Sequence, residues 1–312
     1  MFGKNIITLV TIMHLPLMMI AQDSPISQWC NNVLTSNPSM AGSADKLRMN
    51  AFYRNQWAKA DAGFNYYGFT VDMPVAKNMG CGIELANEQT SAFNKPRIFC
   101  SYSYQTQATR NTAIRYGMKI GVLQEYVNTS KLSFEQEENI TSESSKIRID
   151  GGIGISAITS KLYISLAIEH LTRPQQGISS SAESKTPIKW SLGAGYIHKI
   201  KTLTPKKTME LMPNLLFQRQ GTQQNLQLGV ISQVNWLMTG MACRTGFGES
   251  CPTLSILLGY KKLDLTIAYN YDIDTNRKTT GSGNSHEISI TKLFDRKHKE
   301  KHKTIECPSF LR

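Results

Sequence analysis

The residue types of a catalytic triad lie close together near the C-terminus of the chain. Ser285, His286 and Glu287 are consecutive in "GNSHEISI", and Asp272 precedes them in "AYNYDI". A nucleophile at Ser285 or Ser289 would need the histidine as its base and an acid to orient that base. The segment alternates polar and apolar residues as a β-strand does, so His286 and Glu287 point to opposite faces and do not share one site. Because the sequence also has no G-x-S-x-G elbow, we predict that the protein is not an enzyme.

The cysteines and histidines give no pattern of a metal site. No C-x-x-C motif occurs, and no His/Cys cluster has the ligand spacing of zinc. We therefore predict neither a metal nor another cofactor. Cys243 and Cys251 flank "RTGFGES", a predicted tight turn, and the alternatives there are a local disulfide or two unpaired small residues. The six cysteines are Cys30, Cys81, Cys100, Cys243, Cys251 and Cys307.

The elements that must position these residues are predicted to be β-strands. In "KLYISLAIEHL" the residues Leu162, Ile164, Leu166 and Ile168 share one face, and the residues between them share the other. The same alternation recurs after residue 46, mostly in segments of about 9–11 residues, the length of a tilted strand that crosses a bilayer. The predicted strands are 47–57, 63–73, 79–88, 97–106, 113–125, 149–157, 161–170, 188–199, 209–218, 225–236, 237–246, 253–261, 262–272 and 285–294.

Alternation fits two architectures, and three further features favour a membrane barrel. A soluble β-sandwich turns its apolar side chains inward, whereas a membrane barrel turns them outward around a polar lumen. The segments are long, their polar faces are rich in Gly, Ser, Thr and Asn, and aromatic residues gather towards segment ends, as in "NYYGF" and "SYSY". We predict an all-β protein, a transmembrane antiparallel β-barrel of about 14 strands, closed because lipid tolerates no unpaired sheet edge.

The N-terminus predicts export and sets the domain boundaries. Residues 1–21 have the pattern of a signal peptide, with an apolar stretch from Ile6 to Ile20 and cleavage after Ala21. We predict a periplasmic lead-in or plug segment at 22–46, the outer-membrane barrel at 47–294 and a basic periplasmic tail at 295–312. An even number of strands behind a signal peptide predicts that the N- and C-termini both lie in the periplasm.

The tail "DRKHKEKHKTIECPSFLR" combines a basic run with a short apolar end. The positive charges could meet an acidic partner or anionic lipid, although most charge runs are solvated, disordered segments. The apolar end favours a docking peptide. Despite a formal charge of +12 and a pI near 9.4, nucleic acid is a poor partner for an exported barrel. The predicted partner-binding residues are Lys297, Lys299, Lys301, Cys307, Pro308 and Phe310.

Several short motifs follow one another in a specific order. "SNPSMAG" precedes the first strand, "YRNQW" lies on it, "SHEISI" lies on the last strand, and "CPSF" ends the tail. Together they resemble the PorP/SprF family of outer-membrane proteins, which belong to the type IX secretion systems of Bacteroidota. Ser39 stands where the opening motif of that family usually has alanine. The motif residues are Asn37, Pro38, Gly42, Tyr53, Arg54, Asn55, Gln56, Trp57, His286 and Glu287.

The resemblance implies a non-enzymatic barrel that works with the type IX secretion and gliding machinery. It implies export of cargo with C-terminal sorting domains. The implied partners are the PorK/PorN ring, the PorL/PorM motor, the peptidoglycan-binding PorE and the lipid of the outer membrane. The alternative is a porin or a hydrophobic-substrate transport barrel, and the sequence does not decide whether the lumen is open.

Each motif also has a purely structural interpretation. "YRNQW" is either a docking or gating element or, as we favour, an aromatic belt with Arg54 and Gln56 pointing into the lumen. A buried arginine then needs a carboxylate or carbonyl partner. "SNPSMAG" predicts a turn, which is either a plug or a simple lead-in. His286 and Glu287 are interpreted as a structural pair that closes the seam of the barrel.

Overall fold

The structure is a computed structural model that describes residues 23, 25–59, 63–91, 93–127, 145–175, 185–201, 208–246, 253–275 and 283–295. Fifteen β-segments form a single sheet in which neighbours are antiparallel. The segments are β1 Leu47–Gln56, β2 Phe64–Ala76, β3 Met79–Thr90, β4 Phe93–Thr109, β5 Thr112–Val127, β6 Ser145–Ile158, β7 Leu162–Glu169, β8 Lys189–Tyr196, β9 His198–Lys201, β10 Thr208–Gln220, β11 Gln223–Val234, β12 Leu237–Gly246, β13 Thr253–Lys262, β14 Leu265–Asp274 and β15 Ser285–Phe294.

The sheet closes into a barrel of fourteen strands. Its last segment, β15, pairs with β1, and we call this pairing the seam. β8 and β9 are two parts of one strand, because both pair with β10 in one continuous register. At the break between them that register sets Pro213 opposite Tyr196, and a proline has no N–H to donate to the ladder. Fifteen segments therefore make fourteen strands, and the predicted all-β barrel of about 14 strands is confirmed.

The two faces of the wall have the polarity of a membrane barrel. Outward side chains are apolar and open to the surroundings, as at Ile120 and Ile147, which are 64% and 69% exposed. Inward side chains are polar and buried, as at Ser103, Asp150 and Ser156. The soluble sandwich is therefore wrong, because it would place the apolar faces inside.

Within the described part of the chain, no helix is long and apolar enough to span a membrane.

The connections at the two ends of the barrel differ in length. At one end, which we call the turn end, two- or three-residue turns follow β2, β4, β6, β11 and β13, and the seam brings Leu47 opposite Phe294. The other end, the loop end, has two-residue turns after β3 and β10 but also carries the long connections 128–144 and 170–188. The two longest connections of the barrel between β1 and β9 therefore lie at the same end.

Asp23 and residues 25–46 lie inside the barrel, and we call this segment the plug. It contains one short helix, α1 Val33–Ser36, and a 3₁₀ turn at Pro38–Met40. The apolar core of the protein lies between the plug and one side of the wall. It consists of Trp29, Cys30, Val33 and Met40 from the plug with Ile158, Tyr163, Ile197, Met212, Leu216, Ile231, Met238 and Leu257 from the wall.

Candidate functional site: the plugged lumen

The plug crosses the lumen from the loop end to the turn end. At the loop end, the backbone N–H of Asp23 donates to Gln220 Oε1 at 3.1 Å. At the turn end, Lys46 Nζ lies 2.6 Å from Asp264 Oδ1 and 3.1 Å from Asp295 Oδ1. Between these points nearly all of the plug is buried. The lumen is therefore filled by the chain's own N-terminal segment.

The "SNPSMAG" motif forms the turn that fixes the plug to the wall. Asn37 Oδ1 accepts from the backbone N–H of Ser39 at 2.9 Å, and Asn37 Nδ2 donates to the carbonyl of Leu166 at 3.1 Å. The backbone N–H of Gly42, at φ 67°, donates to Asp72 Oδ2 at 2.7 Å. Positive φ favours glycine at this position. These bonds satisfy backbone and amide groups that would otherwise be buried without partners.

Three glycines of the wall give this turn its room. A Cβ atom on Gly154 would lie 2.0 Å from Asn37 Oδ1, and one on Gly80 would lie 2.1 Å from the carbonyl oxygen of Ala41. A Cβ on Gly117 would lie 2.2 Å from the backbone nitrogen of Ser39. Distances this short are far inside van der Waals contact. The turn therefore packs directly on the backbones of β3, β5 and β6.

Two buried arginines of the wall hold the same turn. Arg115 Nε donates to the carbonyl of Ser39 at 2.8 Å, and its Nη2 donates to the carbonyl of Ala41. Arg48 Nη2 donates to the carbonyl of Met40 at 3.1 Å, while Arg48 Nε lies 2.8 Å from Asp72 Oδ1. Charged donors make stronger hydrogen bonds to carbonyl oxygens than neutral donors do. The turn is therefore bound on two sides by fixed cations.

A buried ionic cluster joins the plug to the seam. Arg54 is 1% exposed, and its Nη1 lies 2.8 Å from Asp272 Oδ2 and 3.0 Å from Glu287 Oε2. Arg244 Nη2 approaches Asp272 at 3.3 Å. The plug enters this cluster through Ser27, whose backbone N–H donates to Glu287 at 2.8 Å and whose hydroxyl donates to Asp272 at 2.6 Å. One cluster thus connects β1, β12, β14, β15 and the plug.

A second ionic cluster holds the start of the plug at the loop end. His170 Nε2 and Lys189 Nζ each lie 3.0 Å from Asp23 Oδ2. His170 Nδ1 contacts Asp150, and Lys189 also lies 3.2 Å from Glu169 Oε2. We call Asp23, Asp150, Glu169, His170 and Lys189 the loop-end cluster. It connects the plug to β6, β7 and β8.

The charges of this cluster shift the pKa values of its two members outside the strands. Burial lowers the pKa of His170, but Asp23 and Asp150 outweigh that effect and raise it to about 9. Burial raises the pKa of Asp23, but Lys189 and His170 outweigh it and hold that pKa well below its usual range. His170 is therefore a cation at neutral pH, and it is paired with two carboxylates.

The cavities beside the plug are small. One, between the plug and β2–β10, measures about 30 Å³, and a second, beside Gln28 and β11–β14, has the same size. A third, at the loop end near Asp23, measures about 20 Å³. A water molecule needs about 10–15 Å³ of such volume, so these cavities hold one to three waters each. None of these three cavities, which are lined by described residues, is large enough to form a path for a solute.

The structure separates several residues that the sequence brought together. Glu287 points into the lumen and binds Arg54 across the seam, whereas His286 points outward and its Nδ1 lies 2.7 Å from the hydroxyl of Tyr269. The side chains of His286 and Glu287 therefore do not form one pair. Glu287 binds Arg54 across the seam, where Asn50 Nδ2 also donates to Thr291 Oγ1 at 2.7 Å. Ser289 points inward and donates to Gln28 Oε1 at 2.6 Å. His286 therefore does not reach Ser289 as a catalytic base would.

The "YRNQW" motif divides between the two faces of β1. Arg54 points into the lumen, and Asp272 and Glu287 are the carboxylate partners that the sequence could not name. Tyr53 and Asn55 face outward, and both contact Asn65 Oδ1 at 2.8 Å. Gln56 ends the strand and Trp57 follows it in the loop-end connection at φ 58°. The motif thus contributes to the seam cluster and to the outer wall.

The two ends of the described chain lie at opposite ends of the barrel. Asp23 belongs to the loop-end cluster, whereas Asp295 pairs with Lys46 at the turn end. The expectation that both termini share one side does not hold for these ends. It followed from counting strands, and that count left out the passage of the plug through the lumen.

Two sets of predicted residues remain, those of the tail and signal peptide and the cysteines. Lys297, Lys299, Lys301, Cys307, Pro308 and Phe310, like the signal peptide at 1–21, lie outside the described residues. Cys30, Cys81, Cys100 and Cys243 carry free thiols, so Cys243 forms no local disulfide. Within the described ranges, no group of three or more His, Cys, Asp or Glu residues is arranged to hold a metal ion.

No motif in the sequence marks the loop-end cluster. His170 ends the predicted strand 161–170, Lys189 lies in the predicted strand 188–199, and Asp23 belongs to no motif. The available signal was the charge on inward positions: Asp150, Glu169 and Lys189 each occupy the lumenal face of a predicted strand or its edge. A buried charge in a lumen needs a partner, although the pattern alone does not say which one.

Comparison with known structures agrees with the geometry. The chain is similar to the CymD monoaromatic hydrocarbon channel, with 11% identity, a TM-score of 0.50 and coverage of 86% of this chain and 94% of that one. It is also similar to a Pseudomonas aeruginosa FadL homologue, with 11% identity, a TM-score of 0.44 and coverage of 83% and 95%. The comparison with curated proteins gives no match. Likenesses at this identity show the fold alone.

The fold, the apolar outer wall and the occupied lumen define a plugged β-barrel of the outer-membrane type. The sequence pattern of the type IX secretion system membrane proteins PorP/SprF matches residues 19–291. The chain belongs to the PorP/SprF family.

Proposed function

We propose that this protein is a non-enzymatic component of the type IX secretion and gliding machinery in Bacteroidota. It anchors or couples periplasmic machinery to the outer membrane and assists the export of cargo with C-terminal sorting domains. Its partners are the PorK/PorN ring, the PorL/PorM motor and PorE. The observation that carries this proposal is the plug. With the lumen filled and held by two ionic clusters, the protein acts through its ends and its outer wall.

The connection lengths support an orientation. Outer-membrane barrels have short turns on the periplasmic side and longer loops on the outer side. The turn end of this barrel then faces the periplasm, and the tail that begins after Asp295 starts there. The loop end, with Asp23, faces outward after export behind the signal peptide. The basic tail is thus available to a periplasmic partner.

The second candidate function is a porin or hydrophobic-substrate channel. A conducting channel needs a continuous path, and the cavities beside the plug measure only about 20–30 Å³. Single-channel recording in planar bilayers separates the two functions. We expect no steady conductance from the intact protein and an open-pore conductance after deletion of residues 25–43. A steady conductance from the intact protein would favour the channel.

Affinity purification from detergent-solubilised outer membrane tests the secretion role directly. We expect mass spectrometry to recover ring, motor or cargo proteins with the intact barrel. Deletion of 296–312 should leave a folded, heat-modifiable barrel that no longer recovers them. The deletion begins after Asp295 because that carboxylate pairs with Lys46.

A matched control replaces residues 296–312 with a Gly/Ser segment of equal length, which separates loss of the specific tail from loss of chain. If the truncated protein supports secretion and recovers the same partners, the docking role of the tail is wrong. If the intact barrel is recovered alone, the secretion role itself loses its support.

A further inference from the structure

An outward-facing row of polar side chains crosses five neighbouring strands near the loop end. Its members are adjacent in the sheet register, with one residue from each of β15, β1, β2, β3 and β4. Four of the five carry side-chain amides, and we call the set the amide row. The amide row is His286, Asn55, Asn65, Gln89 and Asn94.

The next outward row towards the turn end is aromatic in its centre. Tyr53 and Tyr67 are paired across β1 and β2, stack at a centroid distance of 6.5 Å, and are about 40% exposed. Asn87 on β3 continues this row on one side, and on the other side Ile288 on β15 stands between Tyr53 and Tyr269 on β14. We call Tyr269, Tyr53, Tyr67 and Asn87 the tyrosine row. Tyrosine combines an apolar ring with a polar hydroxyl, which suits a membrane interface.

One further step along the strands, every outward side chain is apolar. This third row is continuous from β14 to β6 and consists of Ile267, Ile290, Ala51, Phe69, Leu85, Ile98, Val122 and Ile149. Two residues of a strand span about 7 Å. The wall thus changes from hydrocarbon-facing to polar within the thickness of a lipid headgroup layer.

The amide row and the tyrosine row together form a polar arc, and this arc occupies only part of the circumference of the barrel. Followed from Tyr271 beside His286 in the other direction, the amide row continues as Ile256, Met241 and Val230 on β13, β12 and β11. An aromatic belt that simply marks the membrane boundary would surround the barrel and would not supply four amides to one arc. A membrane-boundary belt therefore does not explain the amide side chains of this arc.

An apolar groove opens directly below this arc. It measures about 660 Å³ and is lined on the outer face by Phe69, Leu85, Ile98 and Val122, with Asn87 at its edge. This volume lies within the range of about 300–1,000 Å³ that holds small ligands. Asn87 Oδ1 has no hydrogen-bond partner among the described residues. That oxygen is itself buried, and Asn87 Nδ2 donates to the hydroxyl of Tyr67 at 2.8 Å, so Asn87 joins the groove to the tyrosine row.

The charges on the arc restrict what it can bind. The amide and tyrosine rows contain no Lys, Arg, Asp or Glu, so they lack the cations that recognise a phosphate group. Amides offer both donors and acceptors, which match hydroxyl groups, and the exposed tyrosine rings offer apolar faces to a sugar ring. Acyl chains fit the groove beside them. The partner with both parts is a lipid with an uncharged saccharide headgroup.

We propose that the amide row, the tyrosine row and the groove form a binding site for a saccharide-bearing lipid of the leaflet at the loop end. The acyl chains lie over Phe69, Leu85 and Ile98, and the sugar contacts Asn55, Asn65 and the rings of Tyr53 and Tyr67. This site goes beyond the secretion role and does not depend on it.

Native mass spectrometry of the purified full-length protein tests the site. The probe is an equimolar mixture of monoglucosyl diacylglycerol and phosphatidylglycerol with identical acyl chains. We expect the glucolipid to be retained about tenfold over the phospholipid. The variant Asn55→Leu/Asn65→Leu/Asn87→Leu should lose this preference, because it keeps the apolar side chains of the groove and removes three of the five side-chain amides, those nearest Tyr53 and Tyr67.

The matched control is Gln224→Leu/Thr239→Leu/Thr245→Leu, which replaces outward polar residues on β11 and β12. It should retain the preference. If the triple variant fails to show heat-modifiable folding, Asn87→Leu alone should still weaken the preference several-fold. Equal retention of the two lipids, a preference for phosphatidylglycerol, or an equal loss in the control would overturn the proposal.

Discussion

At the scale of single residues, the inward charges are paired rather than solvated. Arg54, Asp272 and Glu287 lie in one cluster with nearly no exposure. The mutual attraction of buried ions roughly offsets the cost of removing them from water, so such a cluster adds little net stability. We expect the cluster to favour one register of the seam, because Arg54 and Glu287 are opposite each other in the pairing of β1 with β15. A shift of one residue would separate them.

Removal of Arg54 should destabilise the barrel strongly. In Arg54→Ala the carboxylates of Asp272 and Glu287 remain buried with less compensation, which typically costs about 3–5 kcal/mol. We expect a clear fall in the temperature at which the heat-modifiable band converts to the unfolded one. Arg219→Ala is the control, because Arg219 is an exposed cation on the outer wall. An equal effect of both changes would show that the seam cluster has no special role.

The loop-end cluster predicts a loss of stability at alkaline pH. The pKa of His170 rises from 6.5 to about 9 on folding, so its contribution is complete below about pH 6.5 and is lost as the pH rises through about 9. The facing groups are Asp23, Asp150, Glu169 and Lys189. We expect the free energy of unfolding to fall by at most about 3 kcal/mol over this window. The measurement is the thermal midpoint of unfolding, which should fall over the same pH range.

The substitution His170→Gln should remove most of this pH dependence, whereas His198→Gln should leave it intact, because His198 is exposed at the opposite end. A pH profile that is the same in the wild type and His170→Gln would exclude His170 as its source.

At the scale of elements, the "SNPSMAG" turn depends on glycines far away in sequence. Gly117→Ala would place a Cβ 2.2 Å from the backbone nitrogen of Ser39, so the turn must move. Such overpacking typically costs about 1–3 kcal/mol. We expect a folded barrel with a loosened plug, seen as intermittent conductance in planar bilayers.

Gly240→Ala is the control for this experiment. Its added Cβ would come no closer than 3.1 Å to another atom, and its three nearest atoms belong to the wall. If the Gly117→Ala variant shows no conductance and unchanged stability, the plug does not depend on close packing at this glycine.

The strands could be predicted because their pattern is local. Outward residues such as Leu162, Ile164 and Leu166 repeat with period two, and lipid on one side enforces that period. The path of the plug could not be predicted, because Asn37, Ser39 and Ala41 pack on gaps left by glycines on three separate strands. A glycine in a strand is also compatible with a bulge or a bend, so the pattern does not reveal which partner it admits.

At the scale of the whole molecule, the plug separates the described start of the chain from the start of the barrel wall. Strand parity predicts that the two ends of the barrel chain meet, and Leu47 and Phe294 do lie side by side. The chain before Leu47 then crosses the lumen to the loop end, where Asp23 is held. Parity therefore accounts for the two ends of the barrel wall, whereas Asp23, the first described residue, lies at the opposite end from Asp295.

Opposite accessibility of two epitope tags tests this arrangement. A tag inserted before Asp23 should bind antibody on intact cells, and a tag after Asp295 should bind only after the outer membrane is permeabilised. A tag between Lys77 and Asn78, in a turn-end connection, is the reference for the inner side. Identical accessibility of the first two tags would contradict the crossing.

The threading of the plug has a kinetic consequence for how the protein reaches this structure. The hydrogen bond between Ser27 and Glu287 joins residues 260 positions apart, so the first exported residues find a partner only when the last strand has been delivered. Contacts of such high sequence separation form late, because the entropy of closing the intervening chain must be overcome first. We therefore expect the plug to enter the lumen and β15 to pair with β1 in one late step of folding. The assembly machinery must keep the nascent sheet open until that event is complete.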